Sequence, residues 1–337
     1  MKDYKRILIV KMSSLGDVIH ALPTLYAIRK NWPEAHITWA VHEQFSGPLP
    51  GKPWLDEVLF IDKKKLKSLG YLWSLRKVLH SYQFDMCLDL QCLAKSAIVA
   101  ALSGAKEKYG YWELREGSKL INKGLEGPHK YGHVIERYLD TVRALGGTVA
   151  GVEFPIKESS VAATSCEVKL SEAGLPHGHD YVVIAPGARW SVKEWPIDSF
   201  GELAKRLVTA KQYAVLIGAE NDKEKAQAIK TQVSSEAVID MTGQTNLEEL
   251  IELIRCSKLF ISADTGPLHI ANALKRPLIG LYGTTSPERT GPYGGEHVHC
   301  IVSPTSKATP ENPLVDDPAC MAQISIDQVW DTAKALL

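Results

Sequence analysis

Four short loops of this chain carry side chains whose types and spacing could do chemistry. The first, residues 11–17, places Ser14 and Gly16 just ahead of Asp17, directly after an apolar run. A carboxylate in such a loop can accept a proton from a hydroxyl group, which is the work of a general base. Asp17 can equally serve as the N-cap of the helix that follows. The loop lacks the glycine spacing of the dinucleotide fingerprint and of the P-loop.

A second loop, residues 264–269, has the sequence Asp-Thr-Gly-Pro-Leu-His after another apolar run. Gly266 permits a tight turn and Pro267 suits a first helical turn, so the backbone amides of Thr265 and Gly266 are expected to point at an anion. The helix dipole adds roughly half a positive charge there, which suits a pyrophosphate. The same residues also fit an ordinary capped turn, with His269 either packed or facing a ligand.

The other two loops supply cations and a further acid. Arg189 and Lys193 lie between an apolar run and Pro196, where either cation could neutralise a leaving diphosphate. Asp222 follows Gly218 at the end of another apolar run, where an acid can hold ribose hydroxyls. A surface loop for the cations and a helix cap for Asp222 are the simpler alternatives.

Alternating strand and helix patterns must position these loops. The patterns form two blocks, separated by a weakly periodic stretch at 147–180 that is expected to hold the interdomain connection. This predicts two doubly wound α/β domains with parallel sheets, in which ligands bind beyond the carboxyl ends of the strands. The expected domains are residues 1–165 and 166–325, followed by a closing helix at 326–337.

Composition argues against several other classes of protein. The 337 residues are 45% hydrophobic and 23% charged, and no apolar run approaches the roughly 20 residues of a membrane span. The first residues lack a signal-peptide core, so a cytoplasmic protein is expected. The six cysteines form no C-x-x-C pair and are expected to be reduced.

Charge is unevenly distributed, although the net charge is zero. Residues 1–150 contain 22 Lys and Arg against 15 Asp and Glu, an excess of +7 that the second half balances. This excess suggests an anionic partner for the first half. The densest cluster, Lys63, Lys64 and Lys65 with Lys67, fits either a solvated loop or a surface that faces acidic lipid head groups.

Several of these segments together resemble glycosyltransferase family 9, the bacterial ADP-heptose:lipopolysaccharide heptosyltransferases. The resemblance rests on residues 10–18, on Lys-Glu-Trp-Pro at 193–196, on the 264–269 loop and on residues 282–287. It implies a GT-B fold, in which two Rossmann-like domains face a central cleft. The N-terminal domain would then bind the acceptor, and the C-terminal domain would bind ADP-heptose. The resemblance also implies that the closing helix at 326–337 can cross back to the N-terminal domain.

The resemblance also implies a role for each candidate residue in an inverting transfer that needs no metal or cofactor. Asp17 is the catalytic base that deprotonates the acceptor hydroxyl. The expected acceptor-binding residues are Ser14, Gly16, Lys95 and Arg115. The expected donor-binding residues are Lys193, Asp222, Asp264, Thr265, Gly266 and His269.

The partners so implied are ADP-L-glycero-D-manno-heptose as donor and the inner core of lipopolysaccharide as acceptor. The N-terminal half looks most like enzymes that add the first heptose to Kdo, so Kdo–lipid A is the expected acceptor. A heptosylated core or another acceptor is the alternative. A monomer is expected at the cytoplasmic face of the inner membrane, with no nucleic-acid partner.

Two other classes of protein stay open. A nicotinamide-dependent oxidoreductase would fit the strand and helix pattern, but the missing glycine fingerprint argues against it. A non-catalytic protein that binds sugar nucleotides would use the same donor loops.

Overall fold

The computed structural model describes residues 2–317 and 319–337, so Met1 and Pro318 lie outside the described part. The chain separates into two units, the first ending at Lys157 and the second running from Glu158 to Leu337. This division falls a few residues before the expected boundary at 165. The reason is that a helix at Ser160–Glu172 packs against the second unit.

The N-terminal unit is a six-stranded parallel sheet with helices. Its strands are β1 (Arg6–Val10), β2 (His36–Val41), β3 (Glu57–Phe60), β4 (Met86–Asp89), β5 (Glu107–Tyr111) and β6 (Lys123–Leu125). Its helices are α1 (Leu15–Asn31), α2 (Leu69–Ser81), α3 (Ala94–Leu102) and α4 (Val134–Ala144). The strand order is β3-β2-β1-β4-β5-β6.

The central strands β1 and β4 are mostly apolar, apart from Arg6 and Asp89, because both faces of a parallel sheet are covered. Ile7 in β1 pairs with Ile37 in β2 on one side and with Met86 in β4 on the other. The strand order reverses between β1 and β4, which creates the switch point where open α/β sheets bind ligands. The loop with Asp17 begins at this switch point, directly after β1.

The C-terminal unit repeats this design with a second six-stranded parallel sheet. Its strands are β7 (Tyr181–Ala185), β8 (Tyr213–Leu216), β9 (Val238–Asp240), β10 (Leu259–Ala263), β11 (Leu278–Tyr282) and β12 (Val298–Val302). Its helices are α5 (Ser160–Glu172), α6 (Ile197–Thr209), α7 (Lys223–Val233), α8 (Leu247–Arg255), α9 (Gly266–Ala273), α10 (Pro287–Thr290) and α11 (Ile326–Leu336). The order is β12-β11-β10-β7-β8-β9, so the switch point lies between β7 and β10.

The closing helix α11 packs within the C-terminal unit. It contacts α6 and β11, and its Val329 and Ala333 belong to the apolar core of that unit. The preceding segment is held by Trp195, whose Nε1 donates to the carbonyl oxygen of Ile324 at 3.1 Å. Its buried side chains hold this helix to the C-terminal unit, and the expectation that it crosses back to the first domain stays a prediction.

The predicted fold class is confirmed, since both units are doubly wound α/β sheets of the GT-B type. The helix α5 differs from expectation, because it occupies a stretch that was predicted to be a connection. Its weak periodicity has a physical reason: only Ala162, Cys166 and Leu170 are buried, which is a narrow stripe four residues apart. All six cysteines are free thiols.

Candidate functional site

The first candidate, Asp17, lies in the first turn of α1 but does not cap it as an N-cap. Ser14 holds the N-cap position, and Asp17 follows three residues later. One carboxylate oxygen of Asp17 accepts hydrogen bonds from the Ser14 amide at 3.0 Å and from the Ser14 hydroxyl at 2.7 Å. The side chain is 43% exposed, so it is held in place by Ser14 and is still open to a ligand.

A buried lysine that was not singled out by the sequence faces the other carboxylate oxygen. The Nζ of Lys11 lies 3.3 Å from Oδ1 of Asp17, and its side chain is only 4% exposed. The same ammonium donates to the Leu90 carbonyl oxygen at 3.0 Å and to the Tyr138 hydroxyl at 2.8 Å. Lys11 thus ties Asp17 to β4 and α4, and it contributes positive charge beneath the candidate base.

These neighbours decide the protonation state of Asp17. Burial raises the pKa of this carboxyl, but the charge of Lys11 and the hydrogen bonds from Ser14 outweigh it, so the pKa lies below its ordinary value. The group is therefore ionised at neutral pH and available as a proton acceptor. A low pKa also makes it a weak base, so proton transfer is expected to accompany bond formation rather than precede it.

Hydrogen bonds join the loops that follow β1 and β4 at this switch point. Oε1 of Gln91, after β4, accepts hydrogen bonds from the amides of Met12 and Ser13 at 3.0 and 3.1 Å. The buried carboxylate of Asp89, at the end of β4, in turn accepts from the Gln91 and Cys92 amides. Burial raises the pKa of Asp89 to about 6 despite these bonds. These hydrogen bonds fix the loop that presents Asp17 to the end of β4.

The predicted acceptor-binding cations lie on neighbouring loops of the same sheet edge. Arg115 is exposed after β5, and its amide donates to the Cys92 carbonyl oxygen at 3.0 Å. Burial lowers the pKa of Arg115, but nearby Tyr and acidic groups, Asp17 among them, raise it above its ordinary value. The structure therefore brings Arg115 within electrostatic reach of Asp17.

Lys95 is exposed near the start of α3, and its charge influences the pKa of His42. The pKa of His42 is lowered first by burial and further by the charges of Lys63 and Lys95. Gly16, by contrast, is buried in the first turn of α1. Gly16 therefore shapes the backbone of the loop and does not offer an exposed side for a ligand.

At the second switch point, the loop of residues 264–269 contains a buried charge cluster. Nζ of Lys193 lies 2.6 Å from one carboxylate oxygen of Asp264, and Nε2 of His269 lies 3.6 Å from the other. Burial raises the pKa of Asp264, but the His269 hydrogen bond and the Lys193 charge hold it well below its usual range. Asp264 thus holds Lys193 and His269 together in this loop.

The backbone amides of the 264–269 loop lie at the start of the helix α9. Thr265 is the N-cap of α9 and Gly266 is its first residue. The first amides of a helix have no partner within it, and they attract anions. The Thr265 hydroxyl lies 3.2 Å from the Ser262 hydroxyl, which orients the cap. The predicted anion site and the cation Lys193 therefore lie at the ends of neighbouring strands, β10 and β7, which are linked by the contact between Lys193 and Asp264.

The fourth loop joins this site through a second ion cluster that the sequence did not indicate. Nζ of Lys225 lies 2.5 Å from Glu194 and 3.0 Å from Asp222. The other Asp222 oxygen accepts from the Ala219 amide at 3.0 Å. A Cβ on Gly187 would lie 2.1 Å from Oδ1 of Asp222, so a glycine there makes room for the carboxylate. Asp222 is thus held against the end of β7.

Arg189, the other cation of the third loop, has a different environment. Its guanidinium is exposed and lies 5.7 Å from the centre of the Trp190 ring. The structure therefore separates the two cations by role, since Lys193 is fixed by Asp264 and Arg189 stacks on a surface ring.

The structure describes residues 2–317 and 319–337. In this part of the chain no group of three or more His, Cys, Asp or Glu side chains could hold a metal ion. Over the same range, none of the helices combines the length and the apolar character that a membrane span requires.

Two doubly wound α/β units, one with an ionised carboxylate at its switch point and one with a cation beside a helix N-terminus, fit a glycosyltransferase. A model of glycosyltransferase family 9 (heptosyltransferase) matches residues 72–314. The chain belongs to this family.

Comparison with known proteins agrees with this assignment over most of the chain. The chain is 28% identical to the lipopolysaccharide core heptosyltransferase OpsX of Haemophilus influenzae, covering 86% of this chain and 82% of the relative. It is 26% identical to lipopolysaccharide heptosyltransferase 1 of Pseudomonas aeruginosa, covering 98% of each. The solved E. coli heptosyltransferase WaaC with ADP has the same fold, with a TM-score of 0.77, 24% identity and coverage of 98% and 100%.

Proposed function

We propose that the protein transfers a heptose from ADP-heptose to the inner core of lipopolysaccharide, with Asp17 as the general base. The observation that carries the proposal is the ionised Asp17 at the β1 switch point, half-exposed and held by Lys11 and Ser14. The family assignment and the known activities named for the relatives, lipopolysaccharide heptosyltransferases, support the sugar and the acceptor class. The solved relative with ADP supports the nucleotide.

The proposed reaction is a single displacement at the anomeric carbon of the heptose. The acceptor hydroxyl oxygen attacks the anomeric carbon while its proton passes to the Asp17 carboxylate. The bond between that carbon and the diphosphate oxygen breaks, and ADP leaves with the electron pair. One displacement inverts the anomeric configuration. Lys11 and Ser14 keep Asp17 ionised until it receives the proton.

The charge of the departing ADP is met by the second switch point. Lys193 and the amides of Thr265 and Gly266 stabilise the diphosphate, and Asp264 orients Lys193 at 2.6 Å. Preorganised donors of this kind are worth roughly 3–4 kcal/mol when one is removed elsewhere. His269 assists from the same turn, and Asp222 holds the ribose hydroxyls. No metal or other cofactor takes part in this proposal.

The acceptor is the anionic inner core, which suits the +7 charge excess of residues 1–150. Ser14 and Gly16 shape the loop around the hydroxyl, and Lys95 and Arg115 bind acidic groups of the acceptor. We infer Kdo–lipid A as the acceptor and a heptosylated core as the alternative. The enzyme would work as a monomer at the cytoplasmic face of the inner membrane, where this lipid is made.

The test compares ADP release in the presence of ADP-heptose and either Kdo–lipid A or a heptosylated core. Release with Kdo–lipid A identifies the first heptose transfer, and release only with the heptosylated core identifies a later transfer. The variant Asp17→Ala should lose transfer with the active acceptor and still bind ADP. Absence of turnover with every acceptor, together with ADP-heptose binding, would instead indicate a non-catalytic sugar-nucleotide-binding protein.

A further inference from the structure

We infer that Lys225 is a positioning residue that sets the preference of the donor site for a ribonucleotide. It holds two acids, Asp222 and Glu194, which lie in the loops that follow the neighbouring strands β8 and β7. The inference rests on the proposed function, in which Asp222 holds the ribose hydroxyls of the donor, and it names the group on which that contact depends.

One ammonium group joins the two acids. Nζ of Lys225 lies 2.5 Å from Oε1 of Glu194 and 3.0 Å from Oδ1 of Asp222. The three side chains are only 17–26% exposed, so water screens them less than it screens an ordinary surface ion pair. Burial lowers the pKa of Lys225, but its bonds to the two acids outweigh burial and raise the pKa above its ordinary value. Lys225 is therefore charged, and both contacts are charge-assisted hydrogen bonds.

The contacts of Asp222 fix the direction of its carboxylate. Oδ1 faces Lys225, and Oδ2 accepts a hydrogen bond from the Ala219 amide at 3.0 Å. The backbone packs closely around this side chain, since a Cβ on Gly187 or Gly218 would come within 2.1 or 2.8 Å of it. A carboxylate has about four acceptor positions, so ribose hydroxyls can donate to Asp222 beside these two contacts. Because the carboxylate is already held, it loses little freedom when the ribose binds.

Glu194 extends the same contact to the loop that contains Lys193. Oε1 of Glu194 accepts from the Ala188 amide at 3.1 Å as well as from Lys225, so it closes the loop between them. Lys193 in turn lies 2.6 Å from Asp264. Lys225 is thus linked through Glu194 to the cation that is proposed to bind the diphosphate.

Removal of the ammonium would take away the cation that the two carboxylates share. Like charges at such a short distance repel, and a pair of this kind either separates or takes up a proton. Either response removes the fixed acceptor that the ribose hydroxyls need. Loss of Lys225 should therefore weaken the ribose contact in particular, whereas loss of a merely structural ion pair would weaken the binding of every nucleotide equally.

The test is isothermal titration of the full chain with ADP and with 2′,3′-dideoxy-ADP, which lacks both ribose hydroxyls. The wild type should bind ADP roughly 10- to 150-fold more tightly than the dideoxy compound, which is the effect of a hydrogen bond to a charged group. Lys225→Met should bind the two nucleotides nearly equally. Lys225→Arg keeps the charge and can donate to both carboxylates, so it should restore the preference for ADP.

Two controls separate this role from a general effect on the fold. Lys230→Met removes another half-buried cation of α7 and should keep the wild-type preference. Glu194→Gln leaves Asp222 in contact with Lys225, so it should weaken the binding of both nucleotides alike. Equal weakening by Lys225→Met, no preference in the wild type, or loss of the preference in either control would overturn the inference. If circular dichroism shows that Lys225→Met is unfolded, Lys225→Gln takes its place with the same expectation.

The failure of this inference is separable from the failure of the proposed function, because nucleotide binding is measured without an acceptor. If the preference for ADP depends on Lys225 but no acceptor supports ADP release from ADP-heptose, the positioning role stands and the proposed reaction does not. If an acceptor supports ADP release but Lys225→Met keeps the wild-type preference, the reaction stands and the positioning role does not.

Discussion

The contact between Gly187 and Asp222 gives a prediction whose size follows from the geometry. In Gly187→Ala the new Cβ would lie 2.1 Å from Oδ1 of Asp222, whereas non-bonded contacts are normally about 3.5 Å. The Asp222 carboxylate must therefore move by about 1.4 Å. Such a movement breaks its bonds to Lys225 and to the Ala219 amide, both 3.0 Å long.

The displaced carboxylate should no longer hold the ribose of the donor. A hydrogen bond to a charged group is worth about 1.5–3 kcal/mol, which corresponds to a loss of ADP affinity of roughly 10- to 150-fold. Overpacking should also lower the free energy of unfolding by about 1–3 kcal/mol. Isothermal titration with ADP and thermal unfolding measure the two effects.

A matched variant separates this contact from a general effect of adding a methyl group. Gly151→Ala places a Cβ where nothing lies within 4 Å, so its ADP affinity and stability should equal those of the wild type. If Gly187→Ala bound ADP as tightly as Gly151→Ala does, the role of Asp222 in donor binding would be refuted.

Three further changes test the ion pairs of the two switch points. Lys193→Met should lower kcat about 10²- to 10³-fold because the leaving diphosphate loses a cation; an unchanged kcat would remove Lys193 from the chemistry. Asp264→Asn should destabilise the protein at neutral pH. Since the folded pKa of Asp264 is depressed, this difference should shrink as pH falls below about 4, and chemical denaturation that shows a constant difference would contradict the pairing. Lys11→Met should shift the acidic limb of the pH–rate profile to higher pH, because Asp17 loses the charge that lowers its pKa; an unmoved limb would argue against this coupling.

The fold and the site loops were predictable where a local pattern carries the information. β1 and β10 are short apolar runs buried on both faces, and each ends in a glycine-containing polar loop. Strand ends of a parallel sheet share one edge, so the chemistry could be assigned to loops before any contact was known. The short strands β6 and β9 have three residues each, too few for a periodic signal.

The supporting groups could not be predicted because their contacts are distant in sequence. Lys11 looks like a polar residue that ends a strand, and only Tyr138, 127 residues later, shows that its ammonium is buried. Lys225 also pairs with Glu194, 31 residues earlier in the chain, and no local spacing reveals this contact. The alternative that Asp17 is the N-cap of α1 was wrong, because Ser14 holds that position. Both are good capping residues and lie three positions apart, so the sequence does not distinguish them.

The most direct test of the account is the rate of ADP release by Asp17→Asn with ADP-heptose and the active acceptor. Asparagine keeps the shape of the side chain but cannot take the proton. The account predicts a loss of about 10³-fold in rate with unchanged ADP affinity, while the control Asp3→Asn, an exposed carboxylate of the same unit, keeps full activity. Near-normal turnover by Asp17→Asn would contradict the assignment of Asp17 as the base.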